Sequence, residues 1–96
     1  MKKVVITFIN GDKFEIVAET IAEMRTNYYA NKDGFKVESN EWKEEFAHSM
    51  TNYELKDWIQ NNLDWKDISQ HTLRVDIPEV VDYQKLWSDI GINIIE

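Results

Sequence analysis

The architecture of this chain turns on the run Val4-Val5-Ile6-Thr7-Phe8-Ile9-Asn10-Gly11-Asp12-Lys13-Phe14-Glu15-Ile16-Val17-Ala18. Two apolar-alternating stretches flank Asn10-Gly11-Asp12, which is the pattern of a β-hairpin. Asn-Gly favours a two-residue loop, but that register sets Phe8 against Lys13 and Ile6 against Glu15. A three-residue loop instead pairs Phe8 with Phe14, Ile6 with Ile16 and Val4 with Ala18. Burying a large apolar side chain is worth roughly 1.5–3 kcal/mol, more than a turn preference. The longer loop is therefore expected, with one apolar face that needs a cover.

Helices downstream supply that cover. Thr20-Ile21-Ala22-Glu23 has capping-box spacing, predicting a helix to about Asn31 that buries Ile21, Met24 and Tyr28 and stops at Asp33-Gly34. Ser39 or Asn40 caps a second helix with Trp42, Phe46, Ser49 and Met50 on one side. Thr51-Asn52-Tyr53-Glu54 is a second capping box, with Met50 and Leu55 as its staple. The third helix then buries Leu55, Trp58, Ile59 and Leu63, and Trp65 to Ile68 reads as a short extra turn. Thr72 to Ile77 alternates as a strand. A fourth helix follows Pro78, with Val80, Tyr83, Trp87 and Ile90 inward and Gly91 as its stop. Ile92 to Ile95 reads as a last strand. The order ββαααβαβ predicts an α+β fold, a small and mostly antiparallel sheet with helices packed on one face. Residues 1–96 form a single domain in this reading.

Charge is distributed unevenly. Residues 1–37 balance to +1, whereas residues 38–96 balance to −8, giving the chain its net −7. A field of this kind attracts basic partners and repels nucleic acid and anionic lipid. Neither nucleic acid nor membrane is expected as a direct partner. With no cysteine there is no disulfide, thiol nucleophile or thiolate metal site. That composition fits a reducing cytoplasm. The opening Met1-Lys2-Lys3 run is followed too soon by Asn10-Gly11-Asp12 to be a signal peptide or membrane span.

Three constellations bear on chemistry. Glu45 and His48 have Glu-x-x-His spacing on a helix, but di-iron bundles need that motif twice plus two further glutamates. On a helical wheel His48 falls among Glu41, Glu44 and Glu45, so a solvated histidine accounts for it better than a metal ligand. Ser49 is adjacent to His48 in sequence, and neighbouring helical side chains diverge. No glycine-rich phosphate loop is present. No catalytic residue, metal or cofactor is therefore assigned. The second constellation is acidic: Glu38, Glu41, Glu44, Glu45, Glu54, Asp57, Asp64 and Asp67 are concentrated in residues 38–67. Such carboxylates either imitate nucleic-acid phosphates toward a basic groove or simply keep a small domain in solution. The third is aromatic. Trp42, Trp58 and Trp87 fall on apolar helical faces and belong to the core. Trp65 follows a helix and is less securely buried, while Tyr53 and Tyr29 leave the apolar stripes. Tyr and Trp rimmed by acids are ingredients of a binding hot spot.

The segment Thr51-Asn52-Tyr53-Glu54-Leu55-Lys56-Asp57-Trp58-Ile59-Gln60-Asn61-Asn62-Leu63-Asp64-Trp65 resembles segments of small acidic accessory proteins of tailed bacteriophages. Ala18-Glu19-Thr20-Ile21-Ala22-Glu23-Met24-Arg25 and Tyr28-Tyr29-Ala30 have the same texture. The resemblance implies a non-structural product of the infected cell that inhibits a host or defence protein. The expectation is a non-enzymatic protein-binding module for a basic, nucleic-acid-binding partner in the host cytoplasm. Glu41, Glu44, Glu45, Asp57, Asp64 and Asp67 would supply charge, and Tyr53 and Trp65 the anchors. The alternative is a nucleotide- or small-ligand-sequestering domain using Lys2, Lys3, Lys13, Arg25, Lys32 and Lys36. A metal-dependent enzyme built on His48 with Glu44 or Glu45 is a third class. A strand over Ile92–Ile95 at a sheet edge would pair with another chain as a homodimer; in the sheet centre it would complete the core. The sequence leaves both open.

Overall fold

The computed structural model describes residues 1–72 and 81–96. It is an α+β fold built on an antiparallel sheet. β1 (Lys3–Thr7) lies between β2 (Lys13–Val17) and β3 (Gly91–Ile95), in the order β2-β1-β3. Helices α1 (Ala18–Asp33), α2 (Asn40–Ser49), α3 (Asn52–Asn62) and α4 (Trp65–Ile68) follow the hairpin, and α5 (Tyr83–Leu86) precedes β3. Apart from Thr72, the strand expected over Thr72–Ile77 lies outside the described residues, as do Pro78 and Val80. Within them the last helix begins only at Tyr83, capped by the Asp82 side chain. Its expected inward residues Tyr83 and Trp87 are buried, and Ile90 packs against the core.

The hairpin has the expected loop length in a shifted position. Phe8 N donates to Asp12 O at 2.8 Å and Gly11 N to Phe8 O at 2.9 Å, so the three-residue loop is Ile9–Gly11. The strands pair Ile6 with Phe14 and Val4 with Ile16, correcting the expected Phe8–Phe14, Ile6–Ile16 and Val4–Ala18 pairs. The last loop residue must be left-handed, a conformation that glycine adopts without cost. Gly11 takes it with φ 95°; the expected register would have put Asp12 there. Both registers preserve parity, so Val4, Ile6, Phe8, Phe14, Ile16 and Ala18 all still point into the core.

α1 departs further from expectation. Ala18 N extends the ladder by donating to Lys2 O, and the helix starts at once. Val17 is the N-cap without a side-chain bond, and Thr20 is inside the first turn rather than capping it. Starting there buries Ala18, Ile21, Ala22, Arg25, Thr26 and Ala30 along one stripe. Met24 is only half-buried, Tyr28 is 51% exposed, and Tyr29 packs against the core in its place. Gly34 ends α1 in the left-handed region, as Asp33-Gly34 suggests. Ser39 caps α2 by accepting from Trp42 N, which selects it over Asn40.

An aromatic cluster closes the hairpin end. Phe8 stands edge-on to Phe14 and Trp65, with ring centroids 5.6 and 5.3 Å away. Tyr83 and Trp87 complete it. Trp87 Nε1 donates to Leu63 O at 3.0 Å and Tyr83 OH to Asp12 Oδ2 at 2.7 Å, so each polar tip is satisfied.

Candidate protein-binding surface

The acidic residues divide by what the fold does with them. At the junction of α1, α2 and α3, Arg25 is 8% exposed and held by two carboxylates. Its guanidinium donates to Glu45 at 2.6 Å and pairs with Glu54 at 2.5 Å. It also donates to Ser49 Oγ at 2.9 Å and lies 4.8 Å from the centre of the Tyr29 ring. Ser49 Oγ in turn donates to Glu45 O and meets the Thr26 hydroxyl at 3.1 Å. A buried guanidinium requires this density of acceptors, because an unpaired charge in the interior is very costly. Glu45 is thus engaged inside the protein rather than projecting from it.

Glu54 shows the competition directly. Thr51 Oγ1 accepts from Glu54 N at 3.4 Å, forming half of the expected capping box. The return bond is missing because the Glu54 side chain turns to Arg25, and Thr51 N is already bonded to His48 O. A charge-assisted bond to a guanidinium is stronger than a neutral bond to an amide.

Asp64 and Asp67 have an equally local role. Asp64 Oδ1 accepts from Asp67 N at 3.2 Å, while Asp67 Oδ2 accepts from Asp64 N at 3.0 Å, a reciprocal capping box that starts α4. Asp57 is half-buried and accepts from Asn61 Nδ2 at 2.8 Å. Trp65, expected as an anchor, is 9% exposed and sits in the aromatic cluster between Phe8, Phe14, Tyr83 and Trp87. Its burial follows from α4, which folds the ring back under the hairpin.

What remains outward and unpaired is smaller. Glu41 and Glu44 are exposed and make no hydrogen bond or ion pair among the described residues. They stand three apart on α2, and His48 follows four further on, so all three share one face of that helix. Trp42 and Ser49 are buried on the other side. His48 Nε2 reaches within 3.7 Å of Glu54 in the first turn of α3. Tyr53 is 74% exposed, and Asp57 continues its face one turn along α3. Of the sequence set, Glu41 and Glu44 are exposed on α2 and Tyr53 on α3, while Asp57 on α3 is half-buried. Glu45, Asp64 and Trp65 are engaged in the fold, and Asp67 caps α4 but stays exposed.

Three of the six cations named for the nucleotide alternative are occupied, while Lys13, Lys32 and Lys36 are exposed. Lys2 Nζ donates to Met50 O at 2.8 Å and to Asn52 Oδ1 at 3.0 Å, Lys3 faces Glu15, and Arg25 is buried. Among the described residues no three His, Asp or Glu side chains assemble in a metal-holding group. No described helix is long and apolar enough to cross a membrane.

Sequence reasoning missed Arg25 as the residue that decides which carboxylates face outward. The signal was present: Ile21, Ala22, Arg25 and Thr26 follow the spacing of a buried helical stripe. No family model, curated protein or solved structure matches the chain.

Proposed function

We propose that this chain is a non-enzymatic protein-binding module that occupies a cationic groove on a nucleic-acid-binding host or defence protein. Binding uses the α2–α3 corner. Glu41 and Glu44 meet Lys or Arg side chains that otherwise hold phosphate, Asp57 extends the negative field, and Tyr53 is the apolar anchor. The mechanism is occlusion, with carboxylates steering association and aromatic burial slowing release. The observation that supports this reading most is the contrast among the acids. Glu45, Glu54, Asp64 and Asp67 have partners within the fold, whereas exposed Glu41 and Glu44 have no ion pair or hydrogen bond among the described residues, and the next helix carries an exposed Tyr53. The acidic-aromatic texture shared with phage accessory proteins points the same way and to the host cytoplasm.

The test is affinity capture from host cells with wild-type protein and with the Glu41→Lys/Glu44→Lys and Tyr53→Ala variants, at low and moderate salt. The proposal expects basic, nucleic-acid-binding proteins to be retained by wild type and lost from the charge-reversed variant. Retention should fall steeply with ionic strength. Capture that ignores both the substitutions and the salt, with all proteins folded, would discard the acidic-surface mechanism.

A further inference from the structure

Among the described residues, the two outer strands of the sheet are built differently. β2 carries exposed Lys13 and Glu15, and its core-facing Phe14 and Ile16 are 7% and 2% exposed. β3 contains no charged residue or proline; its core-facing Ile92 and Ile94 are only half-buried, and Ile95 is 41% exposed. Charged side chains on an outer strand block pairing with another chain, and their absence permits it.

Hydrogen-bond phasing shows what β3 offers. Phe8 bonds to Asp12 and Lys2 to Ala18 across the hairpin, so the even residues of β1 face β2. The odd residues Lys3, Val5 and Thr7 therefore bond to Ile95, Asn93 and Gly91. Ile92 and Ile94 are left with N–H and C=O groups directed away from β1, and among the described residues β1 is the only strand beside β3.

We propose that β3 pairs antiparallel with β3 of a second copy about a two-fold axis at Asn93. That register sets Ile92 against the partner's Ile94 and Ile94 against the partner's Ile92, satisfying the outward backbone groups of both. It opposes Gly91 to the partner's Ile95, where the missing side chain leaves room, and brings the two Asn93 amides together. No like charges meet, and the two sheets become one. Half-buried Ile92 and Ile94 gain a cover on the core side. A single strand pair is smaller than the roughly 1,000 Å² of a tight dimer, so assembly should depend on concentration. This proposal is independent of the acidic surface, and salt separates the two. Screening relieves repulsion between copies of charge −7 and strengthens the dimer, while it weakens binding through Glu41 and Glu44.

Sedimentation over a concentration series tests it. Wild type should move from the 11.4 kDa mass of one chain toward twice that value. Asn93 is exposed on the outer face, so Asn93→Lys and Asn93→Glu should leave the fold intact. Each should weaken association by about tenfold or more, because like charges then oppose at the axis. Mixing the two variants should restore a dimer containing one of each. A wild type that stays single at every concentration overturns the proposal. So does a dimer indifferent to Asn93→Lys, or a mixture that fails to pair. Capture of a foreign protein that Asn93→Lys abolishes, with wild type remaining single, would assign the edge to another protein's strand instead.

Discussion

The hairpin end and the helical end of this molecule are closed by opposite means. Phe8, Phe14, Trp65, Tyr83 and Trp87 seal the first mainly by the burial of ring surface, with the polar tips of Tyr83 and Trp87 also bonded. Arg25, Glu45, Glu54, Ser49 and Thr26 seal the second with directional bonds, in which each member satisfies another. The difference teaches that the acidity of the middle helices has two origins. Part of it neutralises a buried cation, and only the remainder is available to a partner.

That contrast can be broken most decisively at Arg25. Arg25→Ala leaves Glu45 and the largely buried Glu54 facing each other without their cation, with an expected loss of about 3–5 kcal/mol in urea unfolding. A loss below about 1 kcal/mol would show that the helical end does not depend on its ion pairs. At the ring end, Phe8→Leu keeps an apolar side chain but loses volume and ring contacts, and should cost about 1–3 kcal/mol by the same measurement. A cost equal to that of Arg25→Ala would erase the distinction between the two ends.

The two indoles sharpen it further. Trp87 Nε1 bonds to Leu63 O, whereas Trp58 Nε1 is buried with no acceptor among the described residues. Trp87→Phe loses volume and also leaves an acceptor unpaired, for a cost of about 1–3 kcal/mol. Trp58→Phe loses similar volume but removes an unsatisfied donor, so its thermal midpoint should fall by less than that of Trp87→Phe. The smallest effect is expected at Glu38, a non-glycine residue with φ 69° just before the α2 cap. Glu38→Gly relieves a strain of about 1–2 kcal/mol and adds chain entropy to the unfolded state. A rise in melting temperature of a few degrees should result.

The sequence made legible whatever depends on short-range pattern. The inward parity of the hairpin, a cap at Ser39 or Asn40 (the structure takes Ser39) and the α4 turn all follow from residues within a few positions of one another. The exact strand pairing is set by the left-handed loop position, which Gly11 fills and which outranks cross-strand matching of large side chains. What could not be read is anything decided by which helix lies on which. Tyr28 and Tyr29 exchange roles because α1 rotates to bury Arg25, and Trp65 is drawn inward because α4 lands on the hairpin. Of the candidate surface, Glu41, Glu44, Tyr53 and Asp57 were recognisable as outward-facing. Glu45, Asp64 and Asp67 were not separable from them, since a carboxylate engaged in a cap or an ion pair carries the same letter as a solvated one.

The central strand has a consequence for synthesis. Lys3–Thr7 bonds on one side to residues 13–17 and on the other to residues 91–95. One neighbour follows within the same hairpin; the other is synthesised more than seventy residues later. Contacts this distant in sequence slow folding. Until they form, Val4 and Ile6 sit on an unfinished edge. Pairing on that side therefore forms late, and the central strand would stay half-paired until β3 arrives.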